Sequence, residues 1–218
     1  MEAVFREQAF GRGDYLRKIR SDAAEFLVDD AINRRRHALY NLRAGDVNSL
    51  FDNSATTYHK GGVVIHMLRE HVGTEKFWKG VNIYLDRHKF DSVESTDLKK
   101  ALEEASGQDL GWFFDQWVYG AGAPKLDFKP SYNARTKTLN ITVFQTQTVD
   151  GITPTAFRLP LDMVIKTAAG DVRHDIELKK RVQTFSIKLA GKPTSLVIDE
   201  NEKIPLKEVK IRPITTLK

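Results

Sequence analysis

The chain has 218 residues, of which 41% are apolar and 29% are charged, and it contains no cysteine. These fractions are typical of globular proteins and exclude collagen-like, low-complexity and largely disordered chains. The lack of cysteine excludes disulfide scaffolds, thiolate zinc sites and cysteine nucleophiles. No run of eighteen apolar residues occurs, so we expect no transmembrane segment.

The net charge of +5 is distributed unevenly along the chain. Residues 1–123 carry 17 Lys and Arg against 19 Asp and Glu, whereas residues 124–218 carry 17 against 10. A basic half could bind an acidic partner, but lysine-rich strand surfaces also protect sheet edges, and we favour that interpretation. No basic motif with interleaved aromatic residues occurs, so we expect no nucleic-acid binding.

The first half of the chain has helical spacing. Apolar residues recur every three or four positions and predict five helices, over residues 14–30, 57–72, 74–85, 95–106 and 110–118. Gly73 is predicted to end the second of these helices, and Ser95 or Thr96 to cap the start of the fourth. Residues 31–55 carry turn signals instead and predict a loop-rich connection.

The spacing changes near Gly120–Pro124 and then mostly alternates. Alternation predicts short strands over residues 139–144, 159–165, 172–178, 182–189 and 195–198. Six or seven short strands at this spacing are typical of a β-sandwich. The sequence therefore predicts an α+β chain with a helical domain over residues 1–123 and a β-sandwich domain over residues 124–218.

The histidines do not form a recognisable metal motif. A metalloprotease helix places two His four residues apart, whereas His66 and His71 are five apart and diverge by about 140° around a helix axis. His59 and Glu70 each share a face with His66 and could form an accidental site, but we interpret them as polar helix surface. Neither a Gly-x-Ser-x-Gly elbow nor a phosphate-binding glycine loop is present.

A series of short motifs in the helical half carries a more specific signal. In chain order they are Leu50-Phe51-Asp52, Tyr58-His59-Lys60-Gly61-Gly62, Met67-Leu68-Arg69, Phe77-Trp78-Lys79-Gly80, Thr96-Asp97-Leu98, Ser106-Gly107-Gln108-Asp109-Leu110, Phe113-Phe114, Trp117 and Gly122-Ala123-Pro124. Their order and spacing resemble the aminopeptidase N family of zinc peptidases. The resemblance covers residues 5–126 well and extends more loosely over the rest.

This resemblance implies a fold and an activity. The helical half is expected to be the C-terminal part of a thermolysin-like catalytic domain, followed by an immunoglobulin-like β-sandwich. Family members carry the zinc ligands in His-Glu-x-x-His and Asn-Glu-Gly-Phe motifs, and neither motif occurs in this sequence. We therefore expect a fragment of a larger aminopeptidase that binds zinc only in the full-length parent, packs against the parent's N-terminal part and is inactive alone.

By the same resemblance, Tyr58 corresponds to the catalytic tyrosine of the family. Its hydroxyl would donate a hydrogen bond to the oxyanion that forms when water attacks the peptide carbonyl. From the residues alone, the favoured interpretation of Tyr58 is an aromatic packed into the core at the start of a helix, and the resemblance reverses that preference. Lys60 could reach a carboxylate elsewhere in the parent or could be solvated, whereas Phe113, Phe114 and Trp117 are expected in the core.

Two further functions stay open at this stage. A non-catalytic aminopeptidase-like scaffold would keep the shape and lose the metal, so that the motif around Tyr58 would be a relic. The basic β-half could be a binding module for an acidic partner. The leading hypothesis is that the parent removes N-terminal residues from peptide substrates with one zinc ion.

Overall fold

The computed structural model describes residues 2–33, 36–41, 45–46 and 53–217. The chain divides into two compact units, Met1–Gly122 and Ala123–Lys218. The first unit is helical and the second consists of strands, so the predicted α+β fold class is confirmed. The motif residues Leu50–Asp52 lie outside the described residues. No described helix has the length and apolar character needed to cross a bilayer.

The described part of the helical unit contains six α-helices and one π-helix. They are α1 (Glu2–Phe10), α2 (Arg12–Ile32), the π-helix (Ala55–Lys60), α3 (Gly61–Val72), α4 (Thr74–His88), α5 (Ser95–Ser106) and α6 (Gly111–Trp117). The π-helix runs directly into α3. The helix expected from residue 57 therefore begins earlier and has a wider first turn than the apolar spacing indicates.

The residues at two helix boundaries explain why α3 ends and why α5 begins where they do. Gly73 has a φ of 89° and lies between α3 and α4, because a residue without Cβ adopts this backbone at little cost. The prediction that Ser95 or Thr96 caps α5 is wrong. The cap is Glu94, whose backbone N–H donates to Asp97 Oδ2 at 2.9 Å, so the carboxylate satisfies the amide that precedes the helix.

The helical core forms where the predicted apolar stripes meet. The α3 stripe of Val63, Val64, Met67, Leu68 and Val72 is buried, as are Phe113, Phe114 and Trp117 of α6. Helices α4 and α5 approach closely at Gly80, where an added Cβ would lie 2.7 Å from Leu102 Cδ2 and 3.0 Å from Leu102 Cα. Any side chain at this position would force Leu102 to shift, so glycine allows the close approach of the two helices.

Helix α1 was not predicted, and its sequence explains why. None of its described residues is buried, so it has no apolar stripe for periodicity to reveal. Phe5 and Phe10 are exposed by 64% and 67% of their surface. The helix is joined to its neighbours mainly through charged side chains, as the Arg12 and Arg69 pairs to Glu7 show.

The described residues of the second unit form eight strands in two sheets. The strands are β1 (Lys125–Asn133), β2 (Thr138–Gln145), β3 (Leu159–Thr167), β4 (Gly170–Leu178), β5 (Val182–Lys188), β6 (Pro193–Ile198), β7 (Glu208–Ile211) and β8 (Thr215–Leu217). One sheet has the order β5-β2-β1-β7, with β8 also paired to β1, and the other has the order β4-β3-β6. Apolar residues that alternate along β2 and β3 form the sandwich core, with Ile141 and Leu161 at most 2% exposed.

Strand β1 carries a proline at a position that its neighbours allow. Its partners β7 and β8 are both parallel and pair with Lys125–Phe128 and Ser131–Asn133 respectively. Pro130 falls in the gap between these two pairings and pairs only with Ile141 of β2. A residue without an N–H therefore interrupts no ladder on that side of the strand.

Candidate active site

The tyrosine that the sequence motifs single out lies on the surface of the helical unit. Tyr58 belongs to the π-helix, and 58% of its surface is exposed. Ile65, about two turns further along, is exposed by 42%. At Gly61, between them, an added Cβ would meet only Leu39 Cδ2, at 3.7 Å. The phenol is therefore accessible from solvent, beside a helix surface with little side-chain bulk.

The backbone around Tyr58 is hydrogen-bonded at both ends of the π-helix. Thr56 N–H donates to Asn53 Oδ1 at 3.0 Å, and Thr57 N–H donates to Asn53 O at 3.1 Å. At the other end, Gly61 N–H donates to Tyr58 O. Wide turns of this kind are rare and are found frequently at functional sites. The position of the Tyr58 Cα is thus defined by buried contacts on the N-terminal side.

His59 connects the π-helix to α2. Its Nδ1 lies 2.8 Å from Asp22 Oδ1, and its Nε2 lies 3.0 Å from Glu25 Oε2. Within the described ranges, these three side chains form the only group of three potential metal ligands within 4.8 Å of one another. Lys18 Nζ also donates to Asp22 Oδ1 at 2.6 Å. The Lys18 ammonium already pairs with Asp22, so a cation at this group would have to compete with it.

Lys60 is fully buried, so of the two alternatives left open for it the solvated side chain is wrong. Its Nζ donates to Gly120 O at 2.9 Å and lies 5.5 Å from the centre of the Phe26 ring. Burial lowers the pKa of Lys60 from 10.5 to about 7, and the attraction of Asp30 opposes this only in part. Burial thus favours the neutral amine, which still donates a hydrogen bond as the ammonium does.

The expectation of a polar surface around His66 is also wrong, because His66 is 1% exposed. Its Nδ1 lies 2.8 Å from the hydroxyl of Tyr15, and burial raises the pKa of that phenol. The guanidinium carbons of Arg12 and Arg69 lie 4.7 and 5.6 Å from the centre of the Tyr15 ring. This cluster joins α2 to α3 and has the character of a structural contact.

The sequence indicated Tyr58 but not the partners of the two residues that follow it. Asp22 and Gly120 are 37 and 60 positions away from His59 and Lys60, so no local spacing predicts either contact. One signal for Lys60 was present in the sequence. It lies three positions before Val63, on the line of the buried α3 stripe, and that line predicts a buried side chain.

Comparison with known proteins gives a family and a fold. The sequence profile of the peptidase family M1 domain matches residues 1–117. Aminopeptidase N of Lactococcus lactis subsp. lactis is 43% identical over 79 residues, which are 36% of this chain and 9% of that protein. Aminopeptidase N of Haemophilus influenzae is 28% identical over 186 residues, which are 80% of this chain and 21% of that protein.

A solved structure extends the similarity to nearly the whole chain. The crystal structure of Legionella pneumophila aminopeptidase A in complex with aspartic acid superposes with a TM-score of 0.67 at 20% sequence identity. The match covers 96% of this chain and 23% of that one. At this identity the likeness shows the fold alone, a helical part followed by a β-sandwich. In each comparison the chain spans about a quarter or less of its relative.

Proposed function

Because the chain belongs to peptidase family M1, we propose that it forms the helical wall of an aminopeptidase active site, in which Tyr58 donates a hydrogen bond to the oxyanion. The observation that carries this proposal is the position of Tyr58. It lies on a π-helix at the start of α3 and is 58% exposed. A tyrosine that only packed into the core would be buried there. The substrates would be peptides with a free N-terminus.

The chemistry asked of Tyr58 is the stabilisation of developing charge. When water adds to a peptide carbonyl, the carbonyl oxygen becomes negatively charged, and a phenol placed next to it donates a hydrogen bond that strengthens as the charge grows. Such a donor raises kcat and leaves ground-state binding almost unchanged, because the substrate oxygen carries little charge before the attack. One donor of this kind is worth about 10² to 10³ in kcat.

The zinc ion of the family, which would activate the attacking water when bound, does not fit the residues of this chain. The sequence contains no His-Glu-x-x-His motif, and the Asp22 carboxylate of the Asp22, Glu25 and His59 group is already paired with the Lys18 ammonium. The proposal therefore assigns the zinc ligands to residues outside this sequence. The chain alone is then expected to hold no tightly bound zinc and to hydrolyse no aminoacyl amide.

The test of the Tyr58 role is the Tyr58→Phe variant of the zinc-loaded enzyme that contains this chain. We expect kcat to fall about 10²- to 10³-fold with KM within about twofold of wild type, because only the oxyanion contact is lost. Tyr84→Phe on α4 is the matched control and should leave both constants unchanged. An unchanged kcat for Tyr58→Phe would contradict the role and favour the non-catalytic scaffold.

The chain alone allows a second test of the proposal. The purified 218-residue protein should lose zinc during dialysis against metal-free buffer. One zinc ion per chain retained after dialysis, together with hydrolysis of an aminoacyl amide, would overturn the assignment of the metal ligands to other residues.

A further inference from the structure

Tyr58 is followed by two residues whose side chains are anchored in different directions. His59 contacts Asp22 and Glu25 on α2, whereas Lys60 points into the core and reaches Gly120 O. Successive side chains of a helix leave its axis in different directions, by about 100° per residue in an α-helix and by less in the wider π-helix to which residues 58–60 belong. Anchoring residues 59 and 60 restrains the backbone and the Cα–Cβ direction of Tyr58 as well, and the Tyr58 side chain is left 58% exposed.

The contact of Lys60 is the more rigid of the two anchors. Its side chain has no exposed surface, and its acceptor Gly120 is itself closely confined. An added Cβ at Gly120 would lie 2.7 Å from Gln116 O, so the chain after α6 packs directly against that helix. The hydrogen bond of 2.9 Å therefore ties the π-helix to a fixed point 60 residues away. A hydrogen bond of this length and burial restricts the π-helix in direction as well as in distance.

A purely structural role explains this arrangement poorly. Burying an amine costs free energy that an apolar side chain of similar length would not. The α3 stripe with which Lys60 is aligned is otherwise apolar, as Val63, Val64 and Met67 show. A methionine at position 60 would continue that stripe. Unlike a methionine, the amine makes a directed hydrogen bond to one carbonyl oxygen, Gly120 O. Tyr58 lies two positions before this amine in the sequence.

We propose that Lys60 is a positioning residue for the Tyr58 phenol, acting through the π-helix by its hydrogen bond to Gly120 O. The inference rests on the proposed oxyanion role of Tyr58 and deepens it. Lys60 does not touch the substrate. Its hydrogen bond keeps the phenol oxygen within reach of the developing oxyanion, so its loss should weaken the same interaction that Tyr58 provides.

A double-mutant cycle in the zinc-loaded enzyme tests this inference. Lys60→Met should lower kcat about ten- to hundredfold with little change in KM. In the Tyr58→Phe background the same substitution should change kcat less than about twofold, because the contact it aligns is already absent. Equal losses in both backgrounds, or no loss in the first, would refute the positioning role. If Tyr58→Phe itself has no effect, the proposed function fails instead.

The chain alone supplies a readout that does not depend on activity. With 3-fluorotyrosine incorporated and the Tyr58 signal assigned by its absence in Tyr58→Phe, Lys60→Met should move or broaden that fluorine resonance. Lys76→Met is the matched control, because Lys76 Nζ also donates to a backbone carbonyl, that of Ser106, at 3.3 Å. It should leave the Tyr58 resonance unchanged. An unmoved resonance in Lys60→Met would refute the inference.

A milder substitution keeps the test decisive if Lys60→Met folds poorly. Lys60→Gln retains a neutral N–H donor on a shorter side chain, so we expect an intermediate kcat and a smaller fluorine shift. A kcat for Lys60→Gln equal to that of wild type, with an unchanged resonance, would show that the direction of this hydrogen bond does not matter to Tyr58.

Discussion

Replacing Lys60 by methionine should change how the stability of the helical unit depends on pH. In the folded protein the pKa of Lys60 is lowered from 10.5 to about 7, chiefly by burial. At about 1.36 kcal/mol per pKa unit, this lowering makes burial of the protonated amine unfavourable by about 5 kcal/mol well below pH 7. Between pH 7 and pH 10.5 the unfolded chain binds more protons than the folded one, so stability rises with pH.

The size of the effect follows from the same two pKa values. Between pH 7 and pH 10, the Lys60 contribution should raise the free energy of unfolding by about 3 to 4 kcal/mol. Lys60→Met removes this contribution and leaves the Gly120 carbonyl without its donor, which costs about 1 to 3 kcal/mol. The variant should therefore be more stable than wild type at pH 7 and should lose this advantage by pH 10.

Urea unfolding followed by tryptophan fluorescence measures the stability of the helical unit. All three tryptophans, Trp78, Trp112 and Trp117, belong to the helical unit. Other lysines and tyrosines titrate over the same range, so the measured quantity is the difference between wild type and variant at each pH. Lys76→Met serves as the control for loss of one lysine. Parallel curves for wild type and Lys60→Met from pH 7 to pH 10 would refute the reasoning.

Two further substitutions test the packing of each unit. Gly80→Ala should destabilise the helical unit by about 1 to 3 kcal/mol in urea unfolding, because its Cβ would lie 3.0 Å from Leu102 Cα, and an unchanged midpoint would show that α4 and α5 can separate freely. Asp199→Ala should destabilise the β-sandwich by about 3 kcal/mol, because buried Asp199 accepts from Lys207 Nζ at 2.6 Å and from two backbone amides. Hydrogen exchange across residues 193–207 should accelerate in this variant, and unchanged protection would contradict the expectation.

The elements that the sequence predicted include several with one buried face, although β1, which alternates between buried and more exposed positions, was not among them. The α3 stripe and the alternating strands β2 and β3 each combine regular apolar spacing with clear turn signals, and both were found. Helix α1 lacks a buried face, and β7 and β8 are exposed along their whole length. Apolar periodicity cannot reveal such elements, because they have no buried face along the chain.

The residues of the candidate site also differ in whether the sequence predicted them. The sequence predicts a role for Tyr58 because Tyr58 and the residues next to it form one of the motifs that resemble the aminopeptidase family. The interpretation of His66 as polar helix surface is wrong, and neither alternative for Lys60 included a buried contact within this chain, because residue type was given more weight than position on the helix. Lys60 lies on the line of the apolar α3 stripe, and His66 lies directly before Met67 of that stripe. Each of these buried polar residues has a hydrogen-bond partner, Tyr15 for His66 and Gly120 for Lys60.

The stability and activity of Lys60→Met are expected to change in opposite directions. Replacing a residue that only filled the core would lower both stability and activity, because its contacts stabilise the fold and the fold positions the site. Burial of Lys60 instead lowers the free energy of unfolding at neutral pH. Its directed hydrogen bond lies two residues from Tyr58. A variant that is more stable at pH 7 yet slower in kcat would separate the geometric contribution of this amine from its contribution to folding.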